Sequence, residues 1–134
     1  MPDSSLNSVY ELQHRAVWLR LAWLCLIVIV TLSLISIPKI ADLSIKNIDK
    51  IEHTISYFVL MFLFAQCYPS TITRGSYALF FILLGVSLEF LQGFTATRQF
   101  EYADMIANSA GVILGFMLGD SFLKKIVIYL DSKF

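Results

Sequence analysis

The chain has 134 residues, of which 57% are hydrophobic and 15% are charged, whereas about a quarter of the residues in soluble domains are charged. A single soluble domain of this length has too small an interior to bury so many apolar side chains. Ten Lys and Arg balance ten Asp and Glu, so the chain lacks the basic field of a nucleic-acid-binding protein. The apolar content also excludes a disordered chain. The composition therefore predicts a small integral membrane protein.

Four apolar blocks, separated by short polar stretches, each predict a helix that crosses a bilayer. The predicted helices cover residues 17–37, 51–68, 76–94 and 102–123. The second block includes most of the twenty consecutive uncharged residues between His53 and Arg74, which are enough for a full crossing. The first block follows two arginines, as in a signal peptide, but it ends without a small-residue cleavage pattern. We interpret it as an uncleaved span.

The third and fourth blocks are less apolar, because they contain Glu89, Asp104 and Asp120. By hydropathy alone they are also compatible with buried helices of a soluble protein, but the overall composition favours spans. The predicted fold is therefore all-α: an up-down bundle of four transmembrane helices that forms a single membrane domain over residues 1–134. A short amphipathic tail, Ile126 to Phe134, is compatible with the membrane surface.

The distribution of Lys and Arg predicts the orientation of the bundle. With four spans, the two termini and the loop near Arg74 share one side of the membrane. That side carries Arg15, Arg20, Arg74, Lys124, Lys125 and Lys133, and the other carries Lys39, Lys46, Lys50 and Arg98. The positive-inside rule therefore places both termini in the cytoplasm, by six basic residues to four.

Polar residues cluster at three places that an up-down bundle brings to one edge of the bilayer. These places are the start of the second helix, the end of the third and the start of the fourth. The polar side chains predicted there are Asp49, Lys50, His53, Tyr57, Glu89, Gln92, Arg98, Asp104 and Asn108. Within each helix, steps of three or four residues place them on a common face. Since an unpaired acid at the depth of Glu89 costs a few kcal/mol, such a group predicts a functional site.

Small residues recur along the fourth helix at every fourth position. They are Ala107, Gly111, Gly115 and Gly119, preceded by Ala103. Such a series allows another helix to approach closely. We therefore predict that the fourth helix is the central packing element and that its polar groups face the bundle interior.

Three short motifs follow one another in the chain. They are Asp49-Lys50-x-x-His53-x-x-x-Tyr57, Glu89-x-x-Gln92 and Arg98-x5-Asp104-x3-Asn108-x-x-Gly111-x3-Gly115. In this order, over residues 49–115, they resemble the VanZ-like family of small bacterial integral membrane proteins. The resemblance implies a multi-pass protein of the bacterial plasma (inner) membrane with a role at the cell envelope. It also implies a link to teicoplanin-type glycopeptide resistance, with a lipid-linked cell-wall precursor or a lipoglycopeptide as partner, but it implies no particular reaction.

These observations lead to the hypothesis of a polar pocket at the outer face, in contact with the lipid bilayer. The candidate catalytic residues are His53, Glu89 and Asp104, and the candidate ligand-binding residues are Asp49, Lys50, Tyr57, Gln92, Arg98 and Asn108. Arg98 and Lys50 suit a phosphate or carboxylate on an amphiphile, and Glu89 and His53 suit an acid/base pair.

Two alternatives to a working pocket remain open at this point. One is a structural or accessory subunit whose charges only pair internally, and the other is a transporter, which would need to oligomerise. A divalent metal held by His53, Glu89 and Asp104 would have mostly oxygen ligands, which do not select zinc strongly. We predict neither a metal nor a cofactor, and the sequence does not indicate an oligomeric state.

Overall fold

The computed structural model describes residues 12–35, 48–95 and 100–134, and this part of the chain is helical, without strands. Five helices follow one another: α1 (Arg15–Leu34), α2 (Ile48–Cys67), α3 (Thr71–Gly93), α4 (Tyr102–Leu118) and α5 (Phe122–Asp131). The prediction of an all-helical fold is confirmed.

The ends of the helices differ from the predicted bounds, because hydropathy locates the apolar stretch and not the polar first turn. α2 begins three residues earlier than predicted and α3 five residues earlier. At the start of α3 the Ser70 hydroxyl caps the helix by accepting the Thr73 N–H at 3.4 Å.

The predicted fourth helix, residues 102–123, is in fact two helices. α4 ends at Leu118, and a turn at residues 119–121 precedes α5. The Ser121 hydroxyl accepts the Leu123 N–H at 3.3 Å and so begins the new helix. The predicted tail after this span thus lies mostly within α5.

α2 is the central helix of the bundle, which corrects the prediction that the fourth helix is central. α2 packs against α1, α3 and α4, whereas α4 packs against α2 and α3. The side chains that fill the core come mainly from α2, including Leu60, Met61 and Phe64, none of which is exposed. The small residues of α4 allow close approach, but they leave the volume to be filled by the larger residues of α2.

The tightest helix pair is α2 with α4, and glycine makes it possible. A Cβ added at Gly111 would overlap the Thr54 carbonyl oxygen, and one at Gly115 would lie 2.7 Å from the Phe58 carbonyl oxygen. At Gly119 it would lie 2.6 Å from the Cβ of Ala65. The predicted small-residue face of α4 therefore lies directly against the backbone of α2.

The outer surface of the bundle is strongly apolar. α1 and α3 are long and apolar enough to cross a membrane, and at about 1.5 Å per residue the 20 residues of α1 match the hydrocarbon thickness. α4 is apolar but shorter. Large aliphatic side chains on α1 such as Leu24 and Ile27 are more than half exposed. Exposed apolar side chains along helices of span length are typical of a membrane protein.

Candidate functional site

Charged and polar side chains from three helices meet at one end of the bundle. They come from the start of α2, the end of α3 and the start of α4. We call them the polar cluster, which consists of Asp49, Lys50, His53, Glu89, Glu101, Asp104 and Asn108. Hydrogen bonds and ion pairs connect these residues across helices, as the up-down arrangement predicts for all of them except Glu101.

Lys50 is the charged centre of the polar cluster. Its ammonium nitrogen lies 2.6 Å from Glu101 Oε2, 2.9 Å from Asp49 Oδ2 and 3.1 Å from Asp104 Oδ1. The contacts to Glu101 and Asp49 are hydrogen bonds, whereas Asp104 Oδ1 forms an ion pair with Lys50 but has no hydrogen-bond partner among the described residues. In this arrangement the charge of Lys50 is compensated by three of the protein's own acids, which disfavours the binding of a phosphate or carboxylate that the sequence predicted for it.

His53 joins α2 to α4 through its two ring nitrogens. Nδ1 lies 3.0 Å from Asn108 Oδ1, and Nε2 lies 3.7 Å from Asp104 Oδ2. Because the amide oxygen can only accept, the first contact requires a proton on Nδ1. Asp104 therefore lies between Lys50 and His53 and contacts both.

Glu89 is almost completely buried, with 1% of its surface exposed. Its Oε1 accepts the backbone N–H of Glu101 at 2.9 Å, immediately before the first residue of α4. A carboxylate is favourable at this position, because the N-terminus of a helix carries partial positive charge. Within the described residues no hydrogen bond or ion pair joins Glu89 to His53, so the proposed acid/base pair is not in direct contact.

Tyr57 lies below the polar cluster and is also buried, with 2% of its surface exposed. Its hydroxyl has no hydrogen-bond partner among the described residues. A Cβ added at Gly85 would lie 3.2 Å from the Tyr57 ring and 3.1 Å from Asn108 Cβ, so the two side chains pack over this glycine. Gly85 precedes Glu89 by four residues on the same face of α3, which places Tyr57 within the region of Glu89.

One of the predicted ligand-binding residues, Gln92, does not join these contacts. Gln92 is buried and donates through Nε2 to the Ser33 carbonyl oxygen of α1 at 2.9 Å, so it connects α3 to α1. The step of three residues from Glu89 does not bring it into the polar cluster, because the two side chains turn toward different neighbouring helices. Arg98 lies outside the described residues.

Sequence reasoning assigned no role to Glu101 or Gly85. Glu101 contributes both its backbone N–H, to Glu89, and its side chain, to Lys50. Its position immediately before a predicted helix start was a usable signal, because acids are favoured there. Gly85 was detectable as a small residue one turn before the buried acid of the same helix.

Three carboxylates of the polar cluster lie close enough together to raise the question of a metal. One oxygen from each of Asp49, Glu101 and Asp104 lies within 4.8 Å of the others. Oxygen ligands of this kind suit magnesium or calcium, but the Lys50 ammonium already lies among them and compensates their charge. We assign no metal to this set, which also differs from the set considered in the sequence analysis.

The opposite end of the bundle has polar contacts of a plainly structural kind. Arg74, at the start of α3, is buried, pairs with Asp120 after α4 and donates to the Pro69 carbonyl oxygen at 2.8 Å. Burial raises the pKa of Asp120, but Arg74 and Lys124 together lower it below its usual value. These contacts hold the ends of α3 and α4 together.

Fold and surface define the class: a small all-helical protein suited to the membrane, with charges gathered at one end. A comparison with protein families identifies it further. The chain matches the VanZ/LLP1 family over residues 5–123, a range that includes α1 to α4 and the whole polar cluster. The chain belongs to the VanZ/LLP1 family, which confirms the resemblance found in the sequence. Comparisons with curated proteins and with solved structures give no match.

Proposed function

We propose that this VanZ/LLP1 protein is a four-span protein of the bacterial plasma membrane. In this arrangement α1 to α4 cross up and down, both termini are cytoplasmic and the polar cluster opens at the outer face. The charged residues of α2 support it, because they are confined to its first two turns. The remainder of α2 is then apolar enough to lie in the hydrocarbon region.

We propose further that the polar cluster binds the headgroup of a lipid-linked cell-envelope component. The observation that carries this proposal is that two buried polar groups, the Glu89 carboxylate and the Tyr57 hydroxyl, lie behind the charged residues of the polar cluster. An ionised carboxylate has about four acceptor positions, and Glu89 uses one within the described residues. A buried hydroxyl without a partner costs roughly 1–3 kcal/mol. A ligand with O–H or N–H donors would meet both requirements.

The charges of the described residues also indicate what kind of headgroup fits. Asp49, Glu89, Glu101 and Asp104 contribute acceptors, and Lys50 is already paired with three of them. Sugar hydroxyls and amino groups suit such a site better than a bare phosphate. We therefore propose the saccharide part of a lipid-linked cell-wall precursor, or of a lipoglycopeptide of the teicoplanin type, as the ligand.

Binding is a better proposal than catalysis for these residues. Nδ1 of His53 already contacts Asn108, and Nε2 faces Asp104. A general base must reach the proton of its substrate directly or through one water. Binding by Glu89 and Tyr57 leaves the contacts of His53 intact, whereas acid/base chemistry would require one of them to be broken.

The proposal is tested with the full chain in lipid nanodiscs. Native mass spectrometry measures binding of a polyprenyl-pyrophosphate-linked disaccharide pentapeptide, of teicoplanin and of polyprenyl phosphate without a sugar. We expect the sugar-bearing probes to bind and the plain phosphate to bind more weakly. Glu89→Gln and Tyr57→Phe should weaken sugar-probe binding about tenfold or more, which corresponds to about 1.4 kcal/mol.

Glu52→Gln is the matched control, because Glu52 lies on the same first turns of α2 but is exposed. It should bind the probes like the unaltered protein. Unchanged binding by both Glu89→Gln and Tyr57→Phe, or no binding of either sugar probe by the unaltered protein, would contradict the proposed function.

A second candidate function is that of an accessory subunit held together by internal charge pairs. The observation that favours it is Lys50, whose charge is paired with three carboxylates of the protein. In that case Glu89→Gln should lower the melting temperature of the protein without any ligand present, and none of the probes should bind. A ligand-binding site predicts the converse: probe binding is lost while the melting temperature changes little.

A further inference from the structure

The C-terminal helix α5 has two unlike faces. Val127 and Asp131, four residues apart, are buried, with 7% and 1% of their surface exposed. The opposite face presents large apolar side chains that are 47–70% exposed: Phe122, Ile126, Tyr129 and Leu130. Their spacing of four, seven and eight residues from Phe122 forms one continuous stripe. α5 therefore contacts the rest of the protein through the face that carries Val127 and Asp131, and its apolar stripe is exposed.

The contact of α5 with the protein is a carboxylate at the start of α1. Asp131 Oδ2 accepts the backbone N–H of Gln13 at 2.5 Å, Oδ1 accepts that of His14 at 3.2 Å, and Oδ1 also accepts the indole N–H of Trp18 at 2.9 Å. The residue at the N-cap of α1, His14, makes no side-chain cap of its own. Asp131 thus supplies the acceptor that the start of α1 lacks.

The contacts of Asp131 with the start of α1 determine the depth at which α5 lies relative to the bilayer. α1 is a helix of membrane-spanning length and hydropathy that begins at Arg15. Basic residues and tryptophans of a spanning helix concentrate at the membrane–water interface. Because Asp131 contacts the backbone just before Arg15 and the indole of Trp18, α5 lies at that interface. With 10 residues, α5 is too short to cross the bilayer.

We propose that α5 is a membrane-surface helix, whose apolar stripe enters the boundary between headgroups and acyl chains of anionic lipids. Lys125, which is exposed, precedes the stripe residue Ile126, and the Lys133 ammonium lies 5.2 Å from the centre of the Tyr129 ring. Lysines next to an apolar stripe suit phosphate headgroups. Most of α5 lies beyond the range matched by the family. The proposal rests on α1 crossing the bilayer and is independent of any ligand at the polar cluster.

Spin labels on the full chain in nanodiscs test this position. Cys25 and Cys67 are first replaced by Ala, and the melting temperature of this background confirms that it folds. A nitroxide is then attached at Ile126→Cys, within the stripe, or at Lys125→Cys as the matched neighbour. We expect the label at 126 to be more accessible to oxygen and the label at 125 to be more accessible to a water-soluble nickel reagent. The depth parameter should therefore differ in sign between them.

Two outcomes would overturn the proposal. One is equal access of the nickel reagent to both labels, which would place the stripe in water. The other is a label at 126 shielded from both reagents, with a defined distance to a second label, which would show that another copy of the chain covers the stripe. Comparing phosphatidylglycerol with phosphatidylcholine nanodiscs tests the lipid preference: deeper burial with phosphatidylglycerol supports it, and equal depth overturns the electrostatic part.

Discussion

At the scale of single residues, the buried acids of this protein differ in how they are stabilised. Glu89 accepts the backbone N–H before α4, Asp104 lies between Lys50 and His53, and Asp131 accepts N–H groups at the start of α1. In each case the carboxylate comes from a different helix than its donor. Each acid is therefore a contact between helices as well as a charge.

Asp131 makes the stability of the protein depend on pH. Burial raises the pKa of Asp131. The hydrogen bonds from the Trp18 indole and from the backbone N–H groups of Gln13 and His14 together lower it by more, so the pKa lies below the ordinary 3.8. A carboxyl group whose pKa is lower in the folded than in the unfolded protein contributes to stability. The contribution is complete at pH values above the unfolded-state pKa, and it is lost as the pH falls through the folded-state pKa. We expect Asp131→Asn to lower stability by about 1–3 kcal/mol at pH 6.

The difference between Asp131→Asn and the unaltered protein should shrink as the pH is lowered below 4, as measured by thermal unfolding in detergent. His14 Nδ1 lies 3.4 Å from Asp131, so the series is repeated with His14→Gln in both proteins to remove its charge. A difference that stays constant from pH 6 to pH 3 would show that the Asp131 carboxylate does not carry the effect.

At the scale of helices, the contact between α2 and α4 holds the polar cluster together. The close approach at Gly111 and Gly115 lies within about two turns of His53 and Asn108 along the same pair of helices. Because α2 and α4 are rigid elements, the spacing of their backbones at the glycines also sets the spacing of the polar side chains above. Packing and site geometry are therefore coupled in this pair.

The glycines offer a matched pair of substitutions. Gly111→Ala would place a Cβ against the Thr54 carbonyl oxygen, whereas a Cβ at Gly75 of α3 meets nothing within 4 Å. We expect Gly111→Ala to destabilise the protein by about 1–3 kcal/mol through overpacking. Gly75→Ala should be neutral or stabilise by up to about 1 kcal/mol, since alanine restricts the unfolded chain. Equal melting temperatures for the two variants would contradict the close approach of α2 and α4.

At the scale of the whole molecule, the two ends of the bundle have different characters. One end carries the polar cluster, and the other carries the Arg74–Asp120 pair together with the Asp131 contacts to the start of α1. Apolar helices of span length lie between them. A molecule of this kind is suited to a bilayer in which each end meets a different aqueous compartment.

Cysteine labelling tests the number of crossings. We expect Glu52→Cys to react with a membrane-impermeant maleimide in intact cells, and Ser70→Cys and Lys125→Cys to react only after the cells are opened. Glu52 and Ser70 lie at opposite ends of α2, and all three positions are exposed. If only α1 and α3 cross, Glu52 and Ser70 would be labelled from the same side, which is the result that excludes four spans.

Apolar content and the spacing of polar residues were sufficient to predict a helical membrane protein with polar groups at one end. They were also sufficient for the small-residue face of α4, because helical periodicity determines which residues share a face. Helix ends were less predictable: the break at Gly119–Ser121 depends on a local cap inside an otherwise apolar stretch.

Only the tertiary structure decided which groups pair. Glu89 binds the start of α4 instead of His53, Gln92 turns to α1, and Glu101 joins Lys50. Periodicity relates residues within one helix, but it does not specify how each helix is rotated about its axis relative to its neighbours. That rotation follows from the packing of α2 against the glycines of α4 and the side chains of α1 and α3, which no single segment of the sequence contains.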